Sequence, residues 1–398
     1  MFRHPGRSPI RSSGSNIAAA LREPAAAQWR SLVEMAGERS RLVQPLRPGP
    51  RARNWCILTA PPSGGDAMSD ALPDLTLPGT PAEVRNEMNR LRAALDAAIP
   101  PKRNTTRNLL IATWNIREFA SLATKWLAAA SDSPKRDWRG LWAITEIISR
   151  FDVIAVQEVG GNLKSLRTLM KTLGPAWNFV MTDITVGDAG GGERLAYIFD
   201  SHRVQMSGLA CELVVPPEWL AETGANVLRQ QFARTPYAVG FRSGSSTFVL
   251  TTLHVIYGDT SQDRIGEIAG VARWMQDWAR RATEWEQNFI ALGDFNIDRR
   301  DDPLYQAFVS RGLTVAPQHR DLPRTIFDRD GQPNRSSFYD QIAWFAENNR
   351  PLLNMTLKSG GNFDFRPHVY QGAGLTTQQL SFRLSDHYPL WIEFEIPA

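Results

Sequence analysis

The feature that most constrains this chain is a series of short, strongly apolar runs, each ending in residues that can ligate a metal or move a proton. LLIATW is followed by Asn115, DVIAVQ by Glu158, FVLTTL by His254, and FIALG by Asp294 and Asn296, while Asp386-His387 stands directly before YPLWIEF. Apolar runs of this length, rich in Val, Ile, Leu and Phe, read as buried strands. Strand ends gathered along one edge of a sheet focus such groups on a single cleft.

The strand pattern covers Leu109 to Ile116, Asp152 to Val159, Leu195 to Phe199, Phe248 to His254, Phe289 to Phe295, Tyr339 to Phe345 and Leu390 to Ile396. Helical spacing interrupts it at Asp137 to Arg150, Asn162 to Leu173, Asp263 to Gln287 and Pro303 to Arg311. Mixed strands and helices in one long stretch predict two packed sheets with helices outside, an α+β arrangement. Ahead of it, Pro81 to Ile99 is helically spaced, with Thr80 as the expected N-cap and Pro100 as the stop, and reads as a docking helix. Trp274, Trp278 and Trp285 recur near helical spacing and are expected to form a core stripe rather than a base-stacking platform. His4, His202, His319 and His368 carry no functional expectation.

Charge is divided unevenly along the chain. Residues 1–67 hold ten arginines, no lysine and four acids, a net +6, which leaves −2 for the remainder of a chain whose total is +4. The basic character belongs to the extension and gives no electrostatic argument for nucleic acid binding by the body. Residues 1–67 are also broken by Pro45, Pro48, Pro50, Pro61 and Pro62. They read as an unstructured Arg/Pro-rich extension, with Met68 as an alternative start and nonspecific phosphate gripping as the competing reading. Two cysteines, Cys56 and Cys211, do not make a disulfide framework. The chain has no apolar stretch of membrane-spanning length and no signal-peptide core, so a cytoplasmic monomer without membrane contact is expected.

Carboxylates and amides are hard oxygen ligands of the kind Mg²⁺ or Mn²⁺ prefers, and two histidines can handle the protons of phosphate-ester hydrolysis. No serine elbow, Cys-x-x-Cys, phosphate-cradling glycine loop with lysine, or His-Glu-x-x-His is present, which favours direct attack by water.

Seven runs occur in order: TWNIREF, QEVGGN, GERLAYIFD, TLHVIYGD, GDFNID, FYDQIAWF and SDHYPLWIEF. Together they resemble the ordered motif set of the endonuclease/exonuclease/phosphatase superfamily. NIREF with the downstream Thr124-Lys125 pair, RTPYAVGF, NFDF and SDHYP are similar to the deoxyribonuclease I branch. Taken singly, His254 is an ordinary strand-end histidine, Asn115 an Asx turn and Arg234 a solvated ion-pair partner. Seven in order, from about Asn108 to Ala398, are not. The resemblance implies a four-layer αββα sandwich over 108–398; the linker with its docking helix, read from helical spacing, occupies 68–107. The resemblance implies a Mg²⁺ (or Mn²⁺) site at Glu158 and Asn115 with Asp386 close by. It also implies His387 oriented by Asp340, His254 partnered by Glu193, Asp294 and Asn296 at the attacking water and the phosphate, Arg234 clamping phosphate, and Thr325 assisting. Which histidine is acid and which is base depends on where the metal lies.

The implied function is a metal-dependent nuclease, with nucleic acid as its partner. A phosphatase or lipid phosphodiesterase on the same scaffold is the alternative, and an inactive binding module stands last. Phe338-Tyr339-Asp340-Gln341 replaces the Trp-Cys-Asp-Arg run of the inositol-phosphatase branch. Gly160 stands near the place where the deoxyribonuclease carries a minor-groove arginine, which weakens the case for double-stranded DNA. Val214 to Gln231 reads as an inserted loop and helix close to Arg234.

Overall fold

The computed structural model describes residues 79–103, 107–185, 191–221, 231–258, 260–280, 288–327, 337–347 and 350–397. All of them belong to one unit, Met68–Ala398. The expectations for residues 1–67, Met68, His4, Cys56 and Trp285 fall outside the described residues.

Two sheets carry the fold. The first has six strands, β1 (Leu109–Phe119), β2 (Val153–Gly160), β3 (Trp177–Met181), β4 (Glu193–Asp200), β12 (Thr356–Asn362) and β13 (Leu390–Glu395), in the order β12-β13-β1-β2-β4-β3. The second contains β5 (Gln205–Glu212), β6 (Tyr237–Ser243), β7 (Ser246–His254), β8 (Phe289–Asp294), β10 (Asp340–Glu347) and β11 (Arg350–Pro351), in the order β11-β10-β8-β7-β6-β5. Its seventh strand, β9 (Leu313–Val315), pairs with β10. Both sheets are mixed: β1 runs parallel to β2 and β7 parallel to β8, while β1 with β13 and β8 with β10 are antiparallel.

Strand alternation sorts the side chains into layers. Leu109, Ile111, Val153, Ala155, Phe248, Leu250, Ile290, Leu292, Ile342 and Trp344 fill the space between the sheets. Each large apolar side chain buried this way stabilises the fold by about 1.5–3 kcal/mol. The opposite face of the first sheet, with Leu110, Ala112 and Trp114, packs on the helices Ala82–Ala98, Trp138–Ile148 and Lys164–Leu173. The opposite face of the second packs on Ser261–Arg280 and Pro303–Val309. The layers are therefore helix, sheet, sheet, helix.

The expected helix near Pro81 forms over Ala82–Ala98, with one correction: Pro81, not Thr80, occupies the N-cap, and it offers no side-chain capping bond. Pro81 is extended (φ −60°, ψ 145°), a conformation its ring favours, so the chain enters the helix one residue later than the Thr80 reading required. Buried Glu87 on this helix pairs with Arg139 (Nε to Oε1 2.8 Å) and accepts from the Gln371 backbone N–H at 3.0 Å, which fixes the helix to the sandwich. Trp274 and Trp278 pack edge-to-face within the outer apolar layer, as a core stripe does. The inserted stretch contributes one helical turn, Pro217–Leu220, and 222–230 fall outside the described residues. No helix among the described residues is long and apolar enough to cross a membrane.

Candidate active site

The alternation that builds the inter-sheet core also builds the site. On β1 the inward positions run Leu109, Ile111, Thr113, Asn115, and on β7 they run Phe248, Leu250, Thr252, His254. The inner layer thus changes from apolar to polar toward one end. At the transition, buried Gln157 of β2 donates to Thr252 Oγ1 at 2.9 Å and to Thr113 Oγ1 at 3.1 Å, linking the sheets beneath the cleft. One step further, strand register sets His254 beside Asp294 and Asp294 beside Asp340 across β7, β8 and β10.

These groups open into a cleft of about 410 Å³. Its lining includes ten residues marked in the sequence: Asn115, Glu158, Glu193, Arg234, His254, Asp294, Asn296, Thr325, Asp386 and His387. The eleventh, Asp340, is fully buried behind His387. Its Oδ2 lies 2.7 Å from His387 Nδ1. The other imidazole repeats the arrangement, with His254 Nδ1 3.1 Å from Glu193 Oε2. Both rings turn Nε2 toward one oxygen, Asp294 Oδ2, at 3.7 Å from His254 and 3.8 Å from His387. Asn115 Nδ2 donates to that same oxygen at 3.0 Å, and the Asn296 backbone N–H donates to Asp294 Oδ1 at 2.8 Å.

The electrostatics follow from this packing. Burial raises the Asp294 carboxyl, but the charges of His387 and His254 and the bonds from Asn296 and Asn115 outweigh it, so Asp294 is held below the usual carboxylate value. Burial opposes a charge on His387, yet the carboxylates of Asp340 and Asp294 prevail and hold its pKa well above 6.5. Asp340 itself is raised, because burial exceeds what the His387 charge restores. Glu193 is lowered: burial pushes it up, while His254 and Arg234 more than reverse the effect.

Arg234 pairs its Nε with Glu193 Oε2 at 2.7 Å, and its buried Nη1 finds no hydrogen-bond partner among the described residues. Buried Asn115 Oδ1 is likewise without a partner among the described residues. A buried orphan acceptor facing a cleft costs free energy unless a ligand satisfies it. Asn115 shares the cleft with the carboxylates of Glu158 and Asp386, so three oxygen donors of the kind hard divalent cations take lie together, and the residues fit a metal of that class. A second group, Asp294, Asp340 and His387, offers ligand atoms within 4.8 Å of one another. There Asp340 Oδ2 and His387 Nδ1 are already joined, leaving a mixed nitrogen and oxygen set less suited to Mg²⁺.

Two site residues sit in left-handed backbone: Glu158 at φ 60° and Asn296 at φ 50°. Conformations of this kind cost on the order of 1–3 kcal/mol and concentrate at functional sites. Glu158 lies where the ladders on both sides of β2 shift register, and its Oε2 accepts from the Glu118 N–H at 2.9 Å. The bulge takes Glu158 out of strict alternation and into the cleft. Thr325 forms a β-bridge with His387.

Several residues at the cleft went unmarked in the sequence. Glu267 of the helix Ser261–Arg280 accepts from the Ala233 N–H at 2.5 Å and the Ile256 N–H at 3.0 Å, joining the loops that carry Arg234 and follow His254. Arg264 donates to Asn296 O at 2.7 Å and pairs with Asp298, holding the Asn296 turn. Tyr257, Phe327, Ser337 and Tyr339 complete the lining. Tyr257 and Phe327 stand three and two residues after His254 and Thr325, a proximity that was the available signal. His319 is buried against Trp391 O at 2.8 Å, His202 is exposed beside Asp200, and His368 stacks on Phe363.

No family model matches the chain. Among curated proteins it is 24% identical over 295 residues to a deoxyribonuclease of Thioalkalivibrio sp. (strain K90mix), covering 72% of this chain and 71% of that one. It is 25% identical over 262 residues to deoxyribonuclease-1-like 1 of Rattus norvegicus, covering 64% and 74%. Among solved structures, a Bacteroides thetaiotaomicron mannosyl-6-phosphatase is 18% identical with a TM-score of 0.47, covering 72% of this chain and 99% of that one.

Proposed function

We propose that this chain, a member of the endonuclease/exonuclease/phosphatase superfamily, is a divalent-metal-dependent phosphodiesterase whose substrate is nucleic acid. The observation that carries the reading is the convergence of both imidazole Nε2 atoms and the Asn115 amide on Asp294 Oδ2, beside the oxygen donors Asn115 Oδ1, Glu158 and Asp386.

In this reading Glu158, Asn115 and Asp386 would hold Mg²⁺ or Mn²⁺. The bound cation would supply neutralisation of the charge that grows on the phosphate oxygens. Arg234, braced by Glu193, directs its unpaired Nη1 to the same phosphate, where a guanidinium suits paired oxygens. Thr325 and Asn296 complete the phosphate cradle. His254, with Nδ1 turned to Glu193, presents Nε2 as the base that, together with Asp294, takes the proton of the attacking water. His387, held charged between Asp340 and Asp294, gives a proton to the leaving oxygen as the old P–O bond breaks. No nucleophilic side chain is required.

Position 160 favours single strands. A Cβ there would lie 2.8 Å from Ala120 Cβ, so this rim leaves no room for a groove-reading side chain, and Arg194 donates to Gly160 O at 3.1 Å instead. The test is a screen with Mg²⁺ or Mn²⁺, and after chelation, on single-stranded DNA, RNA, plasmid DNA and a phosphomonoester. Diester cleavage that chelation abolishes and added metal restores is expected. Cleavage of the monoester alone would move the assignment to a phosphatase.

A further inference from the structure

Three Phe, Tyr or Trp rings among the described residues stand strongly exposed: Phe179, Tyr257 and Phe327, at 39%, 60% and 47%. Phe179 belongs to β3, the edge strand of its sheet, whereas Tyr257 and Phe327 both line the catalytic cleft. Scattered exposed rings need no explanation, but two at the mouth of one polar cleft do.

Each ring is tied to one half of the proton machinery. Tyr257 lies three residues beyond His254, and the Arg264 guanidinium sits 5.0 Å from its ring centroid. Arg264 is itself buried and fixed by Asp298 and Asn296 O, so the tyrosine has a rigid backing and an exposed ring. Phe327 lies two residues beyond Thr325, whose backbone bridges His387, and its own N–H donates to Thr325 Oγ1 at 3.3 Å. The intervening Ile326 is buried and donates its N–H to Asp386 O at 2.8 Å, anchoring the segment that presents the phenyl ring.

We infer that Tyr257 and Phe327 are stacking platforms for unpaired bases flanking the scissile phosphate, which makes a single-stranded nucleic acid segment the preferred substrate. The inference rests on the diesterase reading above and deepens it. A base inside a duplex is already stacked on both faces, whereas a splayed base offers a free face to an aromatic ring. Such stacking tolerates any sequence, because every base has a π-face. It also accounts for aromatic side chains left in water beside groups that bind only the phosphate.

The experiment compares cleavage of a single-stranded oligonucleotide with cleavage of the same strand carrying abasic sites on both sides of the cut, by wild type, Tyr257→Ala, Phe327→Ala and the double variant. Wild type is expected to prefer the intact strand by about ten-fold or more per stacked base. Each alanine variant loses one such factor through KM, and the double variant treats both strands alike. Tyr257→Phe and Phe327→Tyr, which keep the rings, retain the preference. Equal cleavage of intact and abasic strands by wild type, or an undiminished preference in the double variant, overturns the inference while leaving the diesterase reading in place. A wild type that cleaves neither strand overturns both.

Discussion

Asn115 on β1 and Asp294 on β8 belong to different sheets and meet through a 3.0 Å hydrogen bond from Nδ2 to Oδ2. The amide nitrogen satisfies Asp294, and the amide oxygen has no partner among the described residues. Replacing the asparagine with Asp keeps the size and adds an anion facing Asp294. Asn115→Asp should bind divalent metal more tightly, yet melt lower without metal and lose at least about ten-fold in kcat/KM, since two carboxylates at that distance do not both stay ionised. Calorimetric metal titration, metal-free melting and steady-state kinetics would register the three effects. Unchanged melting would show that the Asn115 to Asp294 bond is not made.

Glu158→Gln nearly preserves shape and exchanges one carboxylate oxygen for a neutral amide nitrogen, a poorer partner for a hard divalent cation. Weaker metal binding is expected, with low activity at ordinary Mg²⁺ that recovers in part as Mg²⁺ or Mn²⁺ is raised. A kcat loss that no metal concentration restores would place Glu158 elsewhere in the chemistry.

Two buried histidines give stability an optimum in pH. Burial and the neighbouring Arg324 charge push His319 from 6.5 down to about 3, so between those values the unfolded chain binds a proton that the folded one excludes, and stability falls as pH falls. His387 acts in the opposite sense. Its folded value is raised, so its contribution is complete below about 6.5 and is lost as pH rises through that folded value. Denaturant unfolding of the metal-free protein should show greatest stability near neutral pH, and His319→Gln should soften the decline between about pH 6.5 and 4.5. An unaltered decline in that variant would contradict the assignment.

The sequence made the inner strands and their polar ends readable, because β1, β2, β7, β8 and β10 are buried on both faces and their apolar runs stop where the cleft begins. It hid the outer strands. β5, QMSGLACE, is an exposed edge with a left-handed Gly208, and β12, TLKSGGN, is half-exposed and glycine-rich, so neither shows an apolar run. Asp340 was placed by resemblance rather than by pattern, since a buried carboxylate ahead of an apolar run looks like any strand start until its partner His387, 47 residues away, is known. Tyr257 and Phe327 escaped notice because exposure is a property of the folded surface, and an aromatic residue beside a strand end is usually core.

In the proposed mechanism, two imidazoles aimed at one carboxylate divide the proton transfers of diester hydrolysis. Initial rates on a single-stranded oligonucleotide, measured for wild type, His254→Ala and His387→Ala across pH and a full Mg²⁺ titration, test it most directly. Wild type should show a bell-shaped pH profile, and each folded variant a kcat loss of about 10² to 10⁴-fold that added metal does not restore. Near-wild-type turnover in either variant would contradict it.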